Sequence, residues 1–210
     1  MRKRYIVLLT LVVLISIVLV FSETIIFKLV GLQEIEIFSQ KDYDKSVEKI
    51  KEIYSDSAQF IVSTNEQFIG YSSLVESDKQ YVLTKPIQIL YFKQDNLVSF
   101  HSSCNVPLDY WTWKLNWNEE NRFEQCPPKS SMPVLDIDLQ QIKQLYHFSL
   151  EDEHQHTIIV FWSRLLKKQV YEAVRTVVKN KALYKEETPK LIFINVDQAF
   201  LGKTTIDEGE

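Results

Sequence analysis

Hydrophobic and polar positions follow four successive patterns along the chain. Residues 5–21 are uncharged and mostly apolar, and residues 43–54 place apolar side chains at helical spacing. Residues 58–103 hold short β-rich runs, and residues 157–197 read as strand, helix and strand. These patterns predict an N-terminal transmembrane helix, an antiparallel-rich α+β module and a C-terminal βαβ unit. The predicted fold class is therefore α+β in the middle of the chain and α/β at its end.

The first segment, residues 1–27, has the pattern of a membrane anchor. Basic residues at positions 2–4 precede the apolar run 5–21, and a helix of that length spans roughly 26 Å, near the lower limit for crossing a bilayer core. The positive-inside rule places the N-terminus in the cytoplasm and the rest of the chain outside it, which is the periplasm if the source is a Gram-negative bacterium. The alternative is a secretory signal cleaved after Ser22, but the apolar run is long for such a signal.

Charge and composition exclude several classes of function. Without the three basic residues of the tip, 21 basic and 28 acidic residues remain, so the exported part carries a net charge near −7. This charge argues against a general nucleic-acid binder. The 4 glycines are too dispersed to form a glycine-rich phosphate-binding loop. We therefore expect no nucleic-acid partner and no cofactor.

The predicted middle module covers residues 33–131 and begins with a strand and a helix. Charged and apolar residues alternate over 34–38, which is typical of a half-buried strand. The apolar side chains of residues 43–54 then recur on one helical face, and Asp42 or Asp44 is expected to cap the start of that helix.

A β-meander is predicted for the next part of this module. Its short apolar runs are Phe60–Val62, Phe68–Tyr71, Tyr81–Leu83, Ile87–Phe92 and Leu97–Phe100. The last two runs are separated by the turn residues 94–96, so they are predicted to pair as a hairpin.

An aromatic segment follows the meander. Tyr110 precedes Trp111, Trp113 and Trp117, and the three tryptophans share one parity, so a strand would place them on one face. Such a face is a candidate stacking platform for a sugar, a base or a peptide. The alternative, an aromatic core stripe, is favoured because tryptophan side chains bury well.

Two cysteines, Cys104 and Cys126, bracket the aromatic segment. In an exported protein such a pair is expected to form a disulfide. A bridge would close a loop of about 23 residues and stabilise the protein by roughly 3 kcal/mol. The alternative is a catalytic or metal-binding thiol pair, but catalytic pairs are usually two residues apart, so the spacing favours a structural role.

The final segment, residues 132–210, carries the predicted βαβ unit. Residues 157–162 form a continuous apolar run, and Ser163 is the predicted N-cap of the following helix. The apolar helix positions are Leu166, Val170, Ala173, Val174, Val177 and Val178. Arg164 falls among the polar positions, and a second buried strand is predicted over 191–197.

Residues 158–163 and 193–197, with the entry segment 132–139, resemble part of a thioredoxin-like domain of the membrane-anchored, extracytoplasmic redoxin type. The resemblance implies Cys-x-x-Cys where this chain has Leu166 and Gln169, so it implies a redox-inactive relative. It also implies a closing hairpin, for which too few residues follow the second strand. The open sheet edge would then be covered by the preceding module or by a partner.

The remaining candidate chemistry is a metal site. His154 and His156 would point the same way on an extended segment, as zinc or copper ligands do, but no third ligand is identifiable. The sequence as a whole predicts a non-catalytic binding or scaffolding protein of the cell envelope, with an envelope protein as partner. The alternative is a thiol–disulfide redox protein or subunit that uses Cys104 and Cys126.

Overall fold

A five-stranded mixed sheet with helices on both faces forms the body of the protein. The structure is a computed structural model, and it describes residues 31–55, 57–150, 156–184 and 188–202. No helix within these ranges has the length and apolar character needed to cross a membrane. The predicted anchor, residues 1–27, lies outside them.

The elements follow one another along the chain. The helices are α1 (Gln40–Ile53), α2 (Asn65–Ser72), α3 (Gln80–Leu83), α4 (Leu139–Tyr146) and α5 (Lys167–Lys181). The strands are β1 (Gln59–Val62), β2 (Gln88–Lys93), β3 (Asn96–Ser102), β4 (Leu108–Asp109), β5 (Lys114–Leu115), β6 (His156–Trp162) and β7 (Lys190–Asn195). Short 3₁₀ turns lie at Glu119–Asn121, Arg164–Leu166 and Asp197–Phe200.

The order of strands in the main sheet is β1-β7-β6-β2-β3. β7 runs parallel to both β1 and β6, whereas β2 pairs antiparallel with β6 and β3. The predicted hairpin is confirmed in β2 and β3, and it occupies the sheet position beside β6 that a βαβ unit leaves open. Strands from both sides of the predicted boundary at residue 132 therefore share one sheet.

The predicted βαβ unit is confirmed in β6, α5 and β7. Every residue of β6 is buried, as expected for a strand covered on both faces. Ser163 is an N-cap, but of the 3₁₀ turn before α5 and not of α5 itself, whose N-cap is Leu166; the Ser163 hydroxyl accepts a hydrogen bond from the backbone N–H of Leu165 at 3.2 Å. The turn Arg164–Leu166 that it caps leads directly into α5.

Two hydrophobic cores lie on opposite faces of this sheet. One packs α1 and α5 against the sheet, with Ile50 and Val174 at its centre. The other packs α2 and α4 against the opposite face, with Tyr71 and Ile142 at its centre. The sheet is thus covered on both sides, which leaves its loops and strand ends as the accessible positions.

The strand predicted at residues 34–38 is wrong. This segment has no strand partner among the described residues. Ile35 is buried, but Ile37, which the alternation would place on the same face, is exposed. The segment is held by loop contacts instead: the backbone N–H of Gln33 donates to the carbonyl of Leu165, and the carbonyl of Ile35 accepts from the backbone N–H of Gly202. Without a strand to pair with, the segment does not keep the one-sided burial that the alternation predicts.

Two of the predicted meander strands are also wrong, since Phe68–Tyr71 lies in α2 and Tyr81–Leu83 lies in α3. A capping box starts α2: the Thr64 hydroxyl accepts from the backbone N–H of Gln67 at 3.2 Å, and the Gln67 side chain accepts from the backbone N–H of Thr64 at 3.0 Å. This local cap outweighs the β preference of the apolar residues.

The helix predicted over residues 43–54 is confirmed in α1, but its cap differs from the prediction. Ser39, and not Asp42 or Asp44, is the N-cap, and its hydroxyl accepts from the backbone N–H of Asp42 at 3.3 Å. Asp42 therefore sits in the first turn, where a carboxylate is favoured by the helix dipole.

Candidate functional site

The positions equivalent to the redoxin cysteines lie at the start of α5. Leu166 is buried in the core beside α1, and Gln169 is fully buried. The Gln169 side chain binds the backbone of the aromatic segment twice: its amide nitrogen donates to the carbonyl of Trp113 at 2.9 Å, and its oxygen accepts from the N–H of Leu115 at 2.8 Å. Neither side chain can form a thiolate, and Gln169 holds a neighbouring loop.

A buried charge pair lies next to this helix start, at the carboxyl ends of β6 and β7. The Asp197 carboxylate is fully buried and accepts from the Ser163 hydroxyl at 2.8 Å. It also accepts from the backbone N–H of Arg164 at 2.6 Å and from Arg164 Nε at 2.5 Å. These bonds fix the turn into α5 and neutralise the guanidinium.

An open groove of about 560 Å³ borders this charge pair. Arg164 and Lys167 contribute cations to its wall, and Glu34, Glu36 and Asp42 contribute carboxylates. Arg164 Nη1 lies 3.8 Å from the Asp42 carboxylate, and Arg164 Nη2 is buried without a hydrogen-bond partner in the described part of the chain. The lining has mixed charge, so it is suited to binding polar groups.

The aromatic segment is a tight turn and not the predicted strand. β4 and β5 are two residues each, and the chain reverses between them. The Asp109 carboxylate accepts from the backbone N–H of Trp111 and from the Thr112 hydroxyl, each at 2.9 Å. These hydrogen bonds hold the pKa of Asp109 below its usual value. Trp113 adopts a positive φ of 53°, which ends any strand alternation.

The three tryptophans therefore do not share a face. Trp117 is 2% exposed and belongs to the core beside α1 and α5, whereas Trp111 is 96% exposed. Trp113 is half-buried between them, and Tyr110 is 76% exposed. The segment combines a buried tryptophan, Trp117, with an exposed aromatic tip, which we define as Tyr110 and Trp111.

The predicted disulfide is absent from the structure, where both cysteines are free. Cys104 is exposed, and its thiol lies 2.8 Å from the side-chain oxygen of Asn105. Cys126 packs against the core beside α1 and α5, and burial raises the pKa of its thiol to about 12. The two thiols thus occupy different environments, one exposed and one partly buried against the core.

The candidate metal ligands are only partly described. His154 lies outside the described residues, and His156 is buried at the start of β6, where Nε2 lies 2.6 Å from the Tyr184 hydroxyl. In the described ranges no three histidine, cysteine, aspartate or glutamate side chains are grouped so that they could hold a metal ion.

A second buried polar cluster, on β2 and β3, is missed by the sequence analysis. His101 is fully buried, its Nε2 lies 3.3 Å from the Ser99 hydroxyl, and its ring packs 4.7 Å from Phe123. Burial, assisted by the charge of Arg122, lowers the pKa of His101 to about 3. The alternation of residues 96–102 was the available signal, since it places Ser99 and His101 on the same face.

Comparison of the chain with protein-family models, with curated proteins and with solved structures gives no match. The candidate site therefore rests on its own geometry: a helix start without thiols, a buried ion pair, a polar groove and a fixed aromatic tip.

Proposed function

We propose that the protein is a single-pass, membrane-anchored extracytoplasmic protein with a non-catalytic binding or scaffolding role in the cell envelope. Its body is a redox-inactive relative of thioredoxin-like domains. The basic tip and apolar run of residues 1–27 support the anchor. The parallel β6–α5–β7 unit, with an antiparallel hairpin beside β6, supports the kinship.

The observation that carries the non-catalytic assignment is the use of Gln169. In a dithiol protein this position would supply a reactive sulfur, whereas here its carboxamide is consumed by two hydrogen bonds to the backbone around Trp113. Leu166 fills the other position with a buried hydrocarbon. The start of α5 therefore has a structural role, because Gln169 holds an exposed loop in place.

Redox inactivity is tested by the reduction of insulin with dithiothreitol. The purified chain is expected to leave the rate of insulin precipitation unchanged, and Cys104→Ser is expected to behave as wild type. A rate increase that Cys104→Ser abolishes would replace this proposal with the redox alternative. The raised pKa of Cys126 weighs against that alternative, because the thiolate is the nucleophile in exchange.

The location and the binding role need separate measurements. In spheroplasts that express the full chain, added protease is expected to degrade the body while a cytosolic marker stays intact; a protected body would contradict the orientation. Cross-linking in intact cells followed by purification is expected to recover one specific envelope protein with the chain. Recovery of the chain alone would contradict a scaffolding role.

A further inference from the structure

The aromatic tip is presented to solvent by a fixed turn. Tyr110 and Trp111 are among the most exposed large hydrophobic side chains of the described residues. Hydrogen bonds to Asp109 shape the turn, and Gln169 fastens it to α5. A contact made by this tip therefore costs little conformational entropy, since the backbone is already ordered.

The tip lies at the same end of α5 as Gly31, the first described residue after the predicted anchor. Gly31 is the first described residue, and it packs so closely on Lys168 that a Cβ at position 31 would lie 2.7 Å from the Lys168 Cβ. Gln33 is bonded to Leu165 through a 2.8 Å backbone hydrogen bond. Gln169, which follows Lys168 in α5, holds the aromatic turn. The chain leaving the anchor and the aromatic tip are thus attached to the same end of α5.

The connection between the anchor and this end is short. The peptide steps from residue 27 to Gly31 span at most about 14 Å even when fully extended. The start of α5 is therefore kept close to the membrane–water interface by the covalent chain. The opposite end of the sheet, marked by the exposed Lys93 across from His156, lies farther from the point where Gly31 packs on α5.

We infer that Tyr110 and Trp111 form a second membrane contact, inserting into the headgroup layer of the bilayer that holds the N-terminal anchor. This inference rests on the proposed anchoring of residues 1–27. Tryptophan and tyrosine concentrate at this layer, because they combine a large apolar ring with a polar N–H or O–H group. The net charge of the exported part is near −7, so attraction to anionic lipid does not supply the energy and neutral headgroups suffice.

The test uses the full chain reconstituted into phosphatidylcholine vesicles, with or without bromine atoms near the headgroup end of the acyl chains. Bromine quenches nearby indole fluorescence. The Trp111 emission is the difference between wild type and Trp111→Phe, a variant that keeps an aromatic ring in the tip. This difference is expected to lose intensity in brominated vesicles, because an interfacial indole lies at the level of the bromine atoms. The residual emission, which includes buried Trp117, is expected to change little.

A distance control uses an environment-sensitive dye on the single cysteine of Lys93→Cys, in the background Cys104→Ser and Cys126→Ala. Its emission is expected to be the same in vesicles and in detergent. A blue shift at Lys93 would mean that the body lies on its other end, and it would overturn the inference.

Flotation of the vesicles separates the two proposals. Chains that float and show quenched Trp111 emission support both the anchor and the second contact. Chains that float with unquenched Trp111 emission support the anchor and overturn the second contact. The same conclusion holds if iodide, a quencher in the aqueous phase, also fails to quench Trp111, because protein and not lipid then covers the tip. Chains that do not float overturn the anchor and, with it, the inference.

Discussion

Asp197 binds Arg164 through two atoms of the same residue, the backbone N–H and Nε, at 2.6 and 2.5 Å. The pair joins the carboxyl ends of two neighbouring parallel strands, and the Asp197 side chain has no exposed surface. The Asp197–Arg164 pair therefore both fixes the turn after β6 and neutralises a buried charge.

We expect Asp197→Asn to destabilise the protein by about 3 kcal/mol, because the substitution leaves the guanidinium buried without its counter-ion. Urea denaturation of the variant measures the loss. Asp42→Asn is the matched control: it removes the other carboxylate near Arg164, which is half exposed and 3.8 Å away, and its midpoint is expected to stay close to that of wild type. Equal midpoints for Asp197→Asn and wild type would show that the pair contributes nothing.

Gln169→Leu is expected to release the aromatic turn. The backbone N–H of Leu115 and the carbonyl of Trp113 lose their partner, at a cost of about 1–2 kcal/mol because both residues are only half-buried. Amide hydrogen exchange at Leu115 reports the release directly and is expected to accelerate. Lys179→Ala, on the exposed face of α5, is the control; if exchange at Leu115 is equally fast in both variants, Gln169 does not hold the turn.

His101 makes the stability of the fold dependent on pH. Its folded pKa of about 3 lies below the ordinary value of 6.5, so below pH 6.5 the unfolded chain takes up a proton that the folded protein refuses. The stabilising contribution is complete above pH 6.5 and is lost as the pH falls toward 3. Between pH 7 and pH 5 the ring accounts for a loss of about 2 kcal/mol.

His101→Leu removes this titration and serves as the comparison. Unfolding free energies of wild type and variant are measured between pH 7 and pH 5, and the difference between the two curves isolates the ring from all other groups. The variant is expected to lose less stability over this interval. Parallel curves would mean that the folded ring protonates as readily as the unfolded one.

The two thiols are expected to react at very different rates. Cys104 is exposed, whereas burial raises the pKa of Cys126 to about 12, so almost no Cys126 thiolate forms at pH 8. With iodoacetamide we expect prompt labelling of Cys104 and labelling of Cys126 only after unfolding. Mass spectrometry of the labelled peptides distinguishes the sites, and labelling of neither before reduction would reveal a disulfide.

The parts of the fold that depend on near neighbours in sequence are the parts that the sequence predicts. The hairpin of β2 and β3 and the unit β6–α5–β7 each follow from a continuous pattern with its own turn or cap. The pairing of β1 with β7 joins Gln59 to Ile192, and no local signal specifies such a distant partner. Phe68–Tyr71 shows the opposite failure, because a cap at Thr64 converts an apparent strand into a helix.

In the candidate site too, local features are predicted from the sequence and tertiary contacts are not. The absence of thiols at Leu166 and Gln169 is evident from the sequence, but the bonds of Gln169 to the aromatic turn depend on tertiary packing. Arg164 has the spacing of a solvated helix residue, and only the approach of two strand ends brings it to Asp197. Trp111 and Trp117 share parity in the sequence and differ in exposure because a turn separates them.

The position of β7 has a consequence for how the molecule assembles. Among the described strands β7 comes latest in the chain, yet it lies between β1 and β6 in the sheet. β1 therefore has no neighbour to pair with until β7 has been synthesised, and its pairing is strongly non-local, which slows folding. A nascent chain stalled before residue 190 holds an unpartnered β1, so the sheet is completed only once residues 190–195 have left the ribosome.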